Sequence, residues 1–203
     1  MNIGIVNYSI GNVGSVYSAL EFYHYNVRLV DDPHVIKKSD LIVLAGVGNF
    51  STATSRLKEL KLWETIDYYV REKKKPLLGI CLGMQLFADS SSEGGENSGF
   101  GWIKGKVIKL EGKEIQVPHM GWDKVEPKGT ELFQGVRYGF FYYMHSYHFI
   151  PDDPKLILAK TPYGSNDLVA CVKKDNIIGV QFHPEKSQGD GLRFLKNSIE
   201  ELL

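Results

Sequence analysis

The stretch PLLGICLGMQ, residues 76–85, decides how the rest of the chain is interpreted. A short apolar run leads into Cys81, which has one glycine two positions before it and another two positions after it. A nucleophile at a sharp strand-to-helix turn needs residues with almost no side chain at those positions, and Gly79 and Gly83 supply them. At the start of a helix the sulfur would be exposed, and the unpaired N–H groups there would stabilise a thiolate. The pattern predicts a nucleophile elbow with Cys81 at its tip; the alternative is a buried cysteine that ends a core strand between two packing glycines.

Length and composition fit one compact domain over residues 1–203. The chain has 203 residues, of which 43% are hydrophobic and 24% charged, enough to bury a substantial core. Its 24 basic and 24 acidic residues balance, so nothing in the charge indicates binding to nucleic acid or to an anionic membrane. Two cysteines, Cys81 and Cys171, are too few for a disulfide framework, and we expect no signal peptide and no membrane span. We therefore expect a cytoplasmic protein whose partners are small molecules or other proteins.

The first half of the chain alternates strands and helices. Apolar runs at 1–7, 27–30 and 40–45 predict strands, and the third is nearly continuous in apolar residues, as a strand covered on both faces should be. Helical spacing of apolar residues predicts one helix over 13–20 and a second over 57–70. This alternation predicts the α/β class, with a mostly parallel central sheet and helices on both faces.

The second half of the chain has a different pattern. After a polar loop at 90–99, a series of short extended segments predicts antiparallel strands added to the parallel sheet. These segments are 101–110, 114–118, 122–126, 140–146, 155–160, 168–173 and 177–182. A closing helix is predicted by apolar residues at helical spacing, Leu192, Leu195, Ile199 and Leu202.

The base that a thiol nucleophile needs occurs just before the closing helix. In VQFHPEKS, residues 180–187, an apolar strand ends in His183, and Glu185 follows two residues later. His183 can take the proton of Cys81 and return it to a leaving amine, while Glu185 holds the other N–H of the ring. A His-Pro-Glu turn on the surface would have the same sequence in isolation. Together the two motifs predict a Cys-His-Glu catalytic triad.

Attack on an amide also creates an oxyanion, which needs N–H groups aimed at it. Gly46-Val47-Gly48 follows the strand expected beside the elbow strand, and its glycines let the backbone turn an N–H toward the site. The N–H of Leu82, at the start of the elbow helix, is the second predicted donor. The alternative for residues 46–48 is an ordinary glycine turn.

Four motifs follow one another along the chain: GICLGMQ (79–85), VPHMGW (117–122), HSY (145–147) and QFHPEKS (181–187). With them the chain resembles the class I glutamine amidotransferases, and among these the glutaminase subunits of imidazole glycerol phosphate synthase. The resemblance implies that Cys81, His183 and Glu185 hydrolyse glutamine to glutamate and ammonia, with no cofactor and no metal.

The resemblance also implies how glutamine and a partner are bound. Glutamine would be held by Gln85, Glu93, Ser146 and Tyr147, together with the backbone of Gly48. The partner would be a (β/α)₈-barrel cyclase in a heterodimer, which uses the ammonia to make imidazole glycerol phosphate and AICAR in histidine biosynthesis.

A docking face is expected next to the site. Sites in an open α/β sheet gather at the carboxyl ends of the parallel strands, so the turn at Asn12, the loop at Val47 and the elbow should share one rim. Lys186 directly follows Glu185, and Trp122 is a large aromatic residue in a polar setting, which is typical of an interface anchor. We therefore expect the partner to contact Asn12, Trp122 and Lys186; the alternative for Trp122 is a core position.

Two departures from the family pattern leave other functions open. The oxyanion loop of the family usually opens with proline, where this chain has Ala45, and its first turn commonly carries asparagine, where this chain has Ser15. One alternative is a paralogous subunit that supplies ammonia to a sugar-modifying synthetase of surface polysaccharides. Others are a stand-alone cysteine γ-glutamyl hydrolase and a non-catalytic binding subunit. Glutamate release that depends on a partner separates these possibilities.

Overall fold

The computed structural model describes residues 1–203, which form fourteen strands, six α-helices and three short 3-10 helices. In chain order the strands are β1 Asn2–Val6, β2 Asn26–Val30, β3 Leu41–Gly46, β4 Leu77–Cys81, β5 Ser90–Ser91, β6 Asn97–Ser98, β7 Gly105–Lys109, β8 His119–Lys124, β9 Glu126–Pro127, β10 Phe140–His145, β11 Tyr147–Pro151, β12 Ile157–Tyr163, β13 Asn166–Lys174 and β14 Ile177–Val180. The helices are α1 Val13–Glu21, α2 Pro33–Lys38, α3 Phe50–Glu59, α4 Leu62–Arg71, α5 Leu82–Gln85 and α6 Gln188–Leu202.

A central sheet of eight strands organises the fold, in the order β2-β1-β3-β4-β14-β13-β12-β9. The first five strands are parallel to one another, and the pairs β14–β13, β13–β12 and β12–β9 are antiparallel. β3 and β4 are buried at every position, as expected for strands covered on both faces. The predicted α/β class with a mostly parallel sheet is confirmed.

An apolar core lies on each face of this sheet. In β3, Leu41 and Val43 belong to the core that includes the buried sides of α1 and α6, whereas Ile42 and Leu44 belong to the core beneath α2, α3, α4 and α5. Successive side chains of a strand point to opposite faces, so a continuous apolar run supplies both cores. This explains why the parallel strands could be recognised from the sequence.

The antiparallel strands are distributed differently from the prediction. β9, β12 and β13 extend the central sheet as antiparallel strands, but β14, from the predicted segment 177–182, runs parallel to β4. β8 pairs with β10 in a separate two-stranded ribbon, and β11-β7-β5-β6 form a third sheet. Along the β8–β10 ribbon, Phe141 and Tyr143 are fully buried in the core that contains α6, whereas Met120 and Trp122 are exposed. The ribbon therefore packs face-on against this core, through the face that carries Phe141 and Tyr143, instead of pairing edge-on with the central sheet.

Two predicted elements are wrong in detail. The segment 114–118 is not a strand: it contains a turn at Lys113–Glu114 and a cis peptide bond between Val117 and Pro118, and proline has no N–H to pair. The helix predicted over 57–70 is two helices, α3 and α4, separated at Lys61, which has a φ of 56°. Both helices pack on the same core, so the apolar spacing continues across the break.

None of the helices combines the length and the apolar character needed to cross a membrane.

Candidate active site

The strand-to-helix turn at Cys81 has the geometry that the bracketing glycines predict. Cys81 joins β4 to α5 with a φ of 54° and a ψ of −109°, a conformation that costs energy in a residue with a side chain. A Cβ atom on Gly83 would collide with the carbonyl oxygen of Leu44, and one on Gly79 would collide with the ring of Phe87. The chain can therefore make this turn only with glycine on both sides of the cysteine.

His183 and Glu185 follow β14, the strand next to the elbow strand. β14 runs parallel to β4 with Val180 opposite Ile80, so the residues that follow β14 meet Cys81 at the same edge of the sheet. His183 Nδ1 lies 2.8 Å from Glu185 Oε1, and both side chains are only 2% exposed. His183 Nε2 is buried and makes no hydrogen bond to another protein atom.

The electrostatics of this pair favour a charged imidazole. Burial lowers the pKa of His183, but the nearby charge of Cys81 and the hydrogen-bonded carboxylate of Glu185 raise it more, so the net pKa lies above its usual value. The backbone N–H of His183 donates to the carbonyl of Tyr142 at 2.8 Å, which ties the histidine to β10. The arrangement can hold a thiolate beside an imidazolium whose other N–H is fixed by a carboxylate.

Gln181 is a residue of the site that the sequence analysis did not identify. It is fully buried, its Nε2 donates to Cys81 Sγ at 3.6 Å, and its Oε1 accepts from Gln85 Nε2 at 3.1 Å. Gln85 Nε2 also donates to the carbonyl of Tyr147 at 2.7 Å. The sequence did contain a signal for Gln181: it is a polar residue within the apolar run that ends at His183. Through Gln181, the predicted glutamine-binding residues Gln85 and Tyr147 are linked to the sulfur.

The predicted oxyanion loop lies beside the elbow. Gly46 is opposite Cys81 in the β3–β4 pairing, and Leu82 is the first residue of α5. The position of a Cβ on Gly46 would be 3.3 Å from the side chain of Leu82. Gly48 has a φ of 126°, in the region that favours glycine. The loop 46–48 and the first residue of α5 thus lie side by side, with Val47 between the two glycines.

Glu93 and Ser146 approach this site from two other loops. Glu93 is half-buried and its Oε2 accepts from the N–H of Phe50 at 2.8 Å, so it lies just beyond the loop 46–48. Burial raises the pKa of Glu93, although the Phe50 N–H opposes this effect. Ser146 separates β10 from β11, and its carbonyl accepts from the N–H of Leu110 at 2.9 Å.

Two histidines in the quoted motifs form a chain of hydrogen bonds that the sequence did not reveal. His145 Nδ1 lies 2.8 Å from the carbonyl of Tyr147, and its Nε2 lies 3.0 Å from His119 Nδ1. Burial, with the neighbouring His119, lowers the pKa of His145 to about 3, so His145 is neutral and donates to the Tyr147 carbonyl. His119 Nε2 lies 2.7 Å from Asp123 Oδ2. The chain connects the β8–β10 ribbon to a carbonyl of the predicted glutamine site.

The three residues expected at a partner interface occupy one side of the molecule. Trp122 is 43% exposed, so it is not a core residue. Its ring lies 6.0 Å from that of Tyr142, and Lys186 Nζ lies 5.6 Å from the centre of the Tyr142 ring. Asn12 caps α1 and lines a groove that also reaches Glu185. Tyr142 was not singled out from the sequence, because nothing along the chain shows that it joins Trp122 to Lys186.

No group of three or more His, Cys, Asp or Glu side chains is arranged to hold a metal ion.

The second cysteine lies outside the site. Cys171 is fully buried in β13, and burial holds the pKa of its thiol well above its usual value. We expect a glutamine-mimicking electrophile to label Cys81 and to leave Cys171 unmodified, because only a thiolate reacts rapidly. Mass-spectrometric mapping of the adduct measures this. Labelling at Cys171 instead of Cys81 would overturn the choice of nucleophile.

The chain is similar to known proteins in both fold and sequence. A crystal structure of a glutamine amidotransferase shares the fold with a TM-score of 0.76 at 17% identity, over 97% of this chain and 98% of that one. The chain is 41% identical over 207 residues to the imidazole glycerol phosphate synthase subunit HisH of Pelagibacter ubique (strain HTCC1062), covering 98% of this chain and 99% of the relative. It is 45% identical over 197 residues to the subunit of the same name from Pyrococcus furiosus, covering 96% of each. Residues 5–202 match the family model of glutamine amidotransferase class-I. The chain therefore belongs to the class I glutamine amidotransferase family.

Proposed function

We propose that residues 1–203 act as one glutaminase domain, which hydrolyses glutamine to glutamate and ammonia and passes the ammonia to a partner subunit. The observation that carries the proposal is the strained elbow at Cys81 beside the buried His183–Glu185 pair. A surface His-Pro-Glu turn would not be buried, and a cysteine that merely ends a strand would not need a positive φ.

In the proposed mechanism, the thiolate of Cys81 attacks the carbon of the glutamine side-chain amide. The carbonyl oxygen becomes an oxyanion that accepts hydrogen bonds from the N–H of Leu82 and from an N–H of the loop 46–48. The C–N bond breaks as the His183 imidazolium gives its proton to the nitrogen, which leaves as ammonia. Water then attacks the thioester, His183 takes a proton from it, and glutamate leaves with the thiolate restored. The reaction uses no cofactor.

Glutamine is proposed to lie between the loop 46–48 and the start of β11. Gln85, Glu93, Ser146 and Tyr147, with the backbone of Gly48, would hold its amino and carboxylate groups. The hydrogen bonds of Gln85 and His145 to the Tyr147 carbonyl support this role, since both fix that group in place.

We infer that the partner is a (β/α)₈-barrel cyclase and that the complex makes imidazole glycerol phosphate and AICAR in the histidine pathway of the cytoplasm. The names of the relatives support a subunit role, because they describe subunits of imidazole glycerol phosphate synthase. The outward face of the β8–β10 ribbon supports a docking surface: Met120, Trp122 and Phe140 are 58%, 43% and 47% exposed. Contiguous exposed apolar side chains of this kind mark protein–protein contacts.

Substitutions on that surface test the docking proposal. We expect Trp122→Ala to weaken partner binding about 30-fold, as for an aromatic anchor, and Lys186→Ala to reduce partner-stimulated glutaminase activity without unfolding the chain. Tyr68, which is 46% exposed on α4 away from the ribbon, supplies the control, and Tyr68→Ala should leave partner affinity unchanged. Titration calorimetry and glutamate release measure the two effects. Unchanged affinity and stimulation in both folded variants would show that the partner docks elsewhere.

The proposed function as a whole is tested by identifying what co-purifies with the chain from its own cell. A barrel cyclase, and glutamate release that rises when it is bound, are the expected results. A sugar-modifying synthetase as the partner would favour the surface-polysaccharide alternative. Full-rate glutamate release by the isolated chain would indicate a stand-alone hydrolase. The absence of glutamate release in every complex would indicate a non-catalytic binding subunit.

A further inference from the structure

Tyr8 is a buried polar side chain that the proposed mechanism does not use. It follows β1, is fully buried, and its hydroxyl makes no hydrogen bond to another protein atom. The other fully buried tyrosine, Tyr143, places its hydroxyl 2.5 Å from Thr161 Oγ1. A buried hydroxyl without a partner destabilises the folded state, so its presence calls for an explanation.

The position of this hydroxyl is at the base of the loop 46–48. A Cβ atom on Gly46 would collide with Tyr8 Oη, so the hydroxyl occupies the space of the missing side chain. Gly46 is opposite Cys81 in the sheet, and Leu82 lies on the same side of Gly46. The hydroxyl is therefore next to the first residue of the loop 46–48 and near the side chain of Leu82.

The hydroxyl remains a hydrogen-bond donor at all ordinary pH values. Burial, and then the nearby charge of Cys81, hold the pKa of the Tyr8 phenol well above its usual value. A neutral phenol can give its proton in a hydrogen bond to a carbonyl oxygen.

The loop supplies such an oxygen when its backbone turns. The carbonyl of Gly46 and the N–H of Val47 belong to one planar peptide and point in opposite directions, so turning the N–H toward an oxyanion turns the carbonyl away from it. Gly11 flanks the same peptide, since a Cβ on Gly11 would be 3.1 Å from Gly46 Cα and 3.5 Å from Val47 N. Tyr8 Oη lies beside Gly46 on the side of its missing Cβ and has no partner, so it is a hydrogen-bond donor adjacent to this peptide.

We propose that Tyr8 is a positioning residue whose hydroxyl donates to the Gly46 carbonyl once the Val47 N–H has turned to the oxyanion. The hydrogen bond would stabilise the reactive form of the loop and would be missing in the resting form. This inference rests on the proposed glutaminase function.

Tyr8→Phe tests it, because the variant removes only the hydroxyl. In the complex with the co-purified partner, kcat for glutamate release should fall about tenfold, the value of one hydrogen bond, with KM for glutamine within about twofold of wild type. The melting temperature of the isolated chain should rise by about 2–4 °C, because an unpaired buried hydroxyl is lost. If Tyr8 had only a structural role, Tyr8→Phe would have a lower melting temperature and an unchanged kcat.

Tyr143→Phe is the matched control. Its hydroxyl is paired with Thr161, so the substitution should lower the melting temperature and leave glutamate release unchanged. An unchanged kcat in Tyr8→Phe, or a fall in its melting temperature, would overturn the role of Tyr8 while wild-type glutaminase activity remains. A wild-type complex that releases no glutamate would instead remove the proposed function itself.

Discussion

Replacement of Cys81 by serine is expected to abolish glutamine-dependent product formation in the complex, with a loss of about 10⁴-fold or more, while synthesis from added ammonium salt stays largely intact. In the proposed mechanism the thiolate is required only for cleavage of the amide, and the partner would perform the later chemistry on free ammonia. The two activities are measured as product formation from glutamine and from ammonium salt, on the same preparation of the complex. Serine at position 81 should keep the elbow conformation, in which Cys81 has a φ of 54°.

Cys171→Ala is the control for this experiment. Cys171 is fully buried in β13, so its loss should affect stability more than activity, and both nitrogen sources should remain usable. Equal loss of both activities in Cys81→Ser, with the complex still assembled, would remove the assignment of this chain as a separate glutaminase.

The second large effect is expected for Glu185→Gln. The carboxylate of Glu185 accepts from His183 Nδ1 at 2.8 Å, which selects the tautomer that leaves Nε2 free to act on Cys81. The glutamine side chain at position 185 can turn its amide NH₂ group toward the His183 ring. It would then favour the tautomer with the proton on Nε2, which is the wrong one for catalysis. We expect kcat to fall about 10³-fold with KM for glutamine little changed.

The pH dependence of the same variant has a definite sign. The carboxylate is one cause of the raised pKa of His183, so its removal lowers that pKa. The imidazolium is present below the pKa and is lost as pH rises through it, so the alkaline limb of kcat/KM should move to lower pH in Glu185→Gln. The stability that the charged histidine contributes should also disappear at a lower pH than in wild type.

The control for these measurements is Glu200→Gln, which neutralises an exposed carboxylate on α6. Its pH–rate profile should match that of wild type. An alkaline limb that stays in place in Glu185→Gln would mean that Glu185 does not act on the charge of His183.

Local patterns along the chain were sufficient to predict the parallel strands β1, β3 and β4 of the central sheet. The strands β1, β3 and β4 supply apolar side chains to both faces of a covered sheet, so each appears in the sequence as a continuous apolar run. This run can be recognised without knowing which helices pack on it. The two glycines around Cys81 were equally informative, because a steric requirement at a turn excludes every other residue type. The break at Lys61 was not predictable, since no glycine or proline marks it and the apolar spacing continues through it.

The residues around Cys81 were only partly predictable, for a reason that follows from their separation along the chain. The sequence by itself determined the elbow, the α/β sheet and a histidine with a carboxylate two residues later. Tertiary structure alone decided that Gln181, 100 residues beyond Cys81, donates to its sulfur, and that Tyr8 fills the space beside Gly46. Such contacts join side chains from different elements, and no local pattern encodes them, because the distance between two side chains depends on how every intervening element packs.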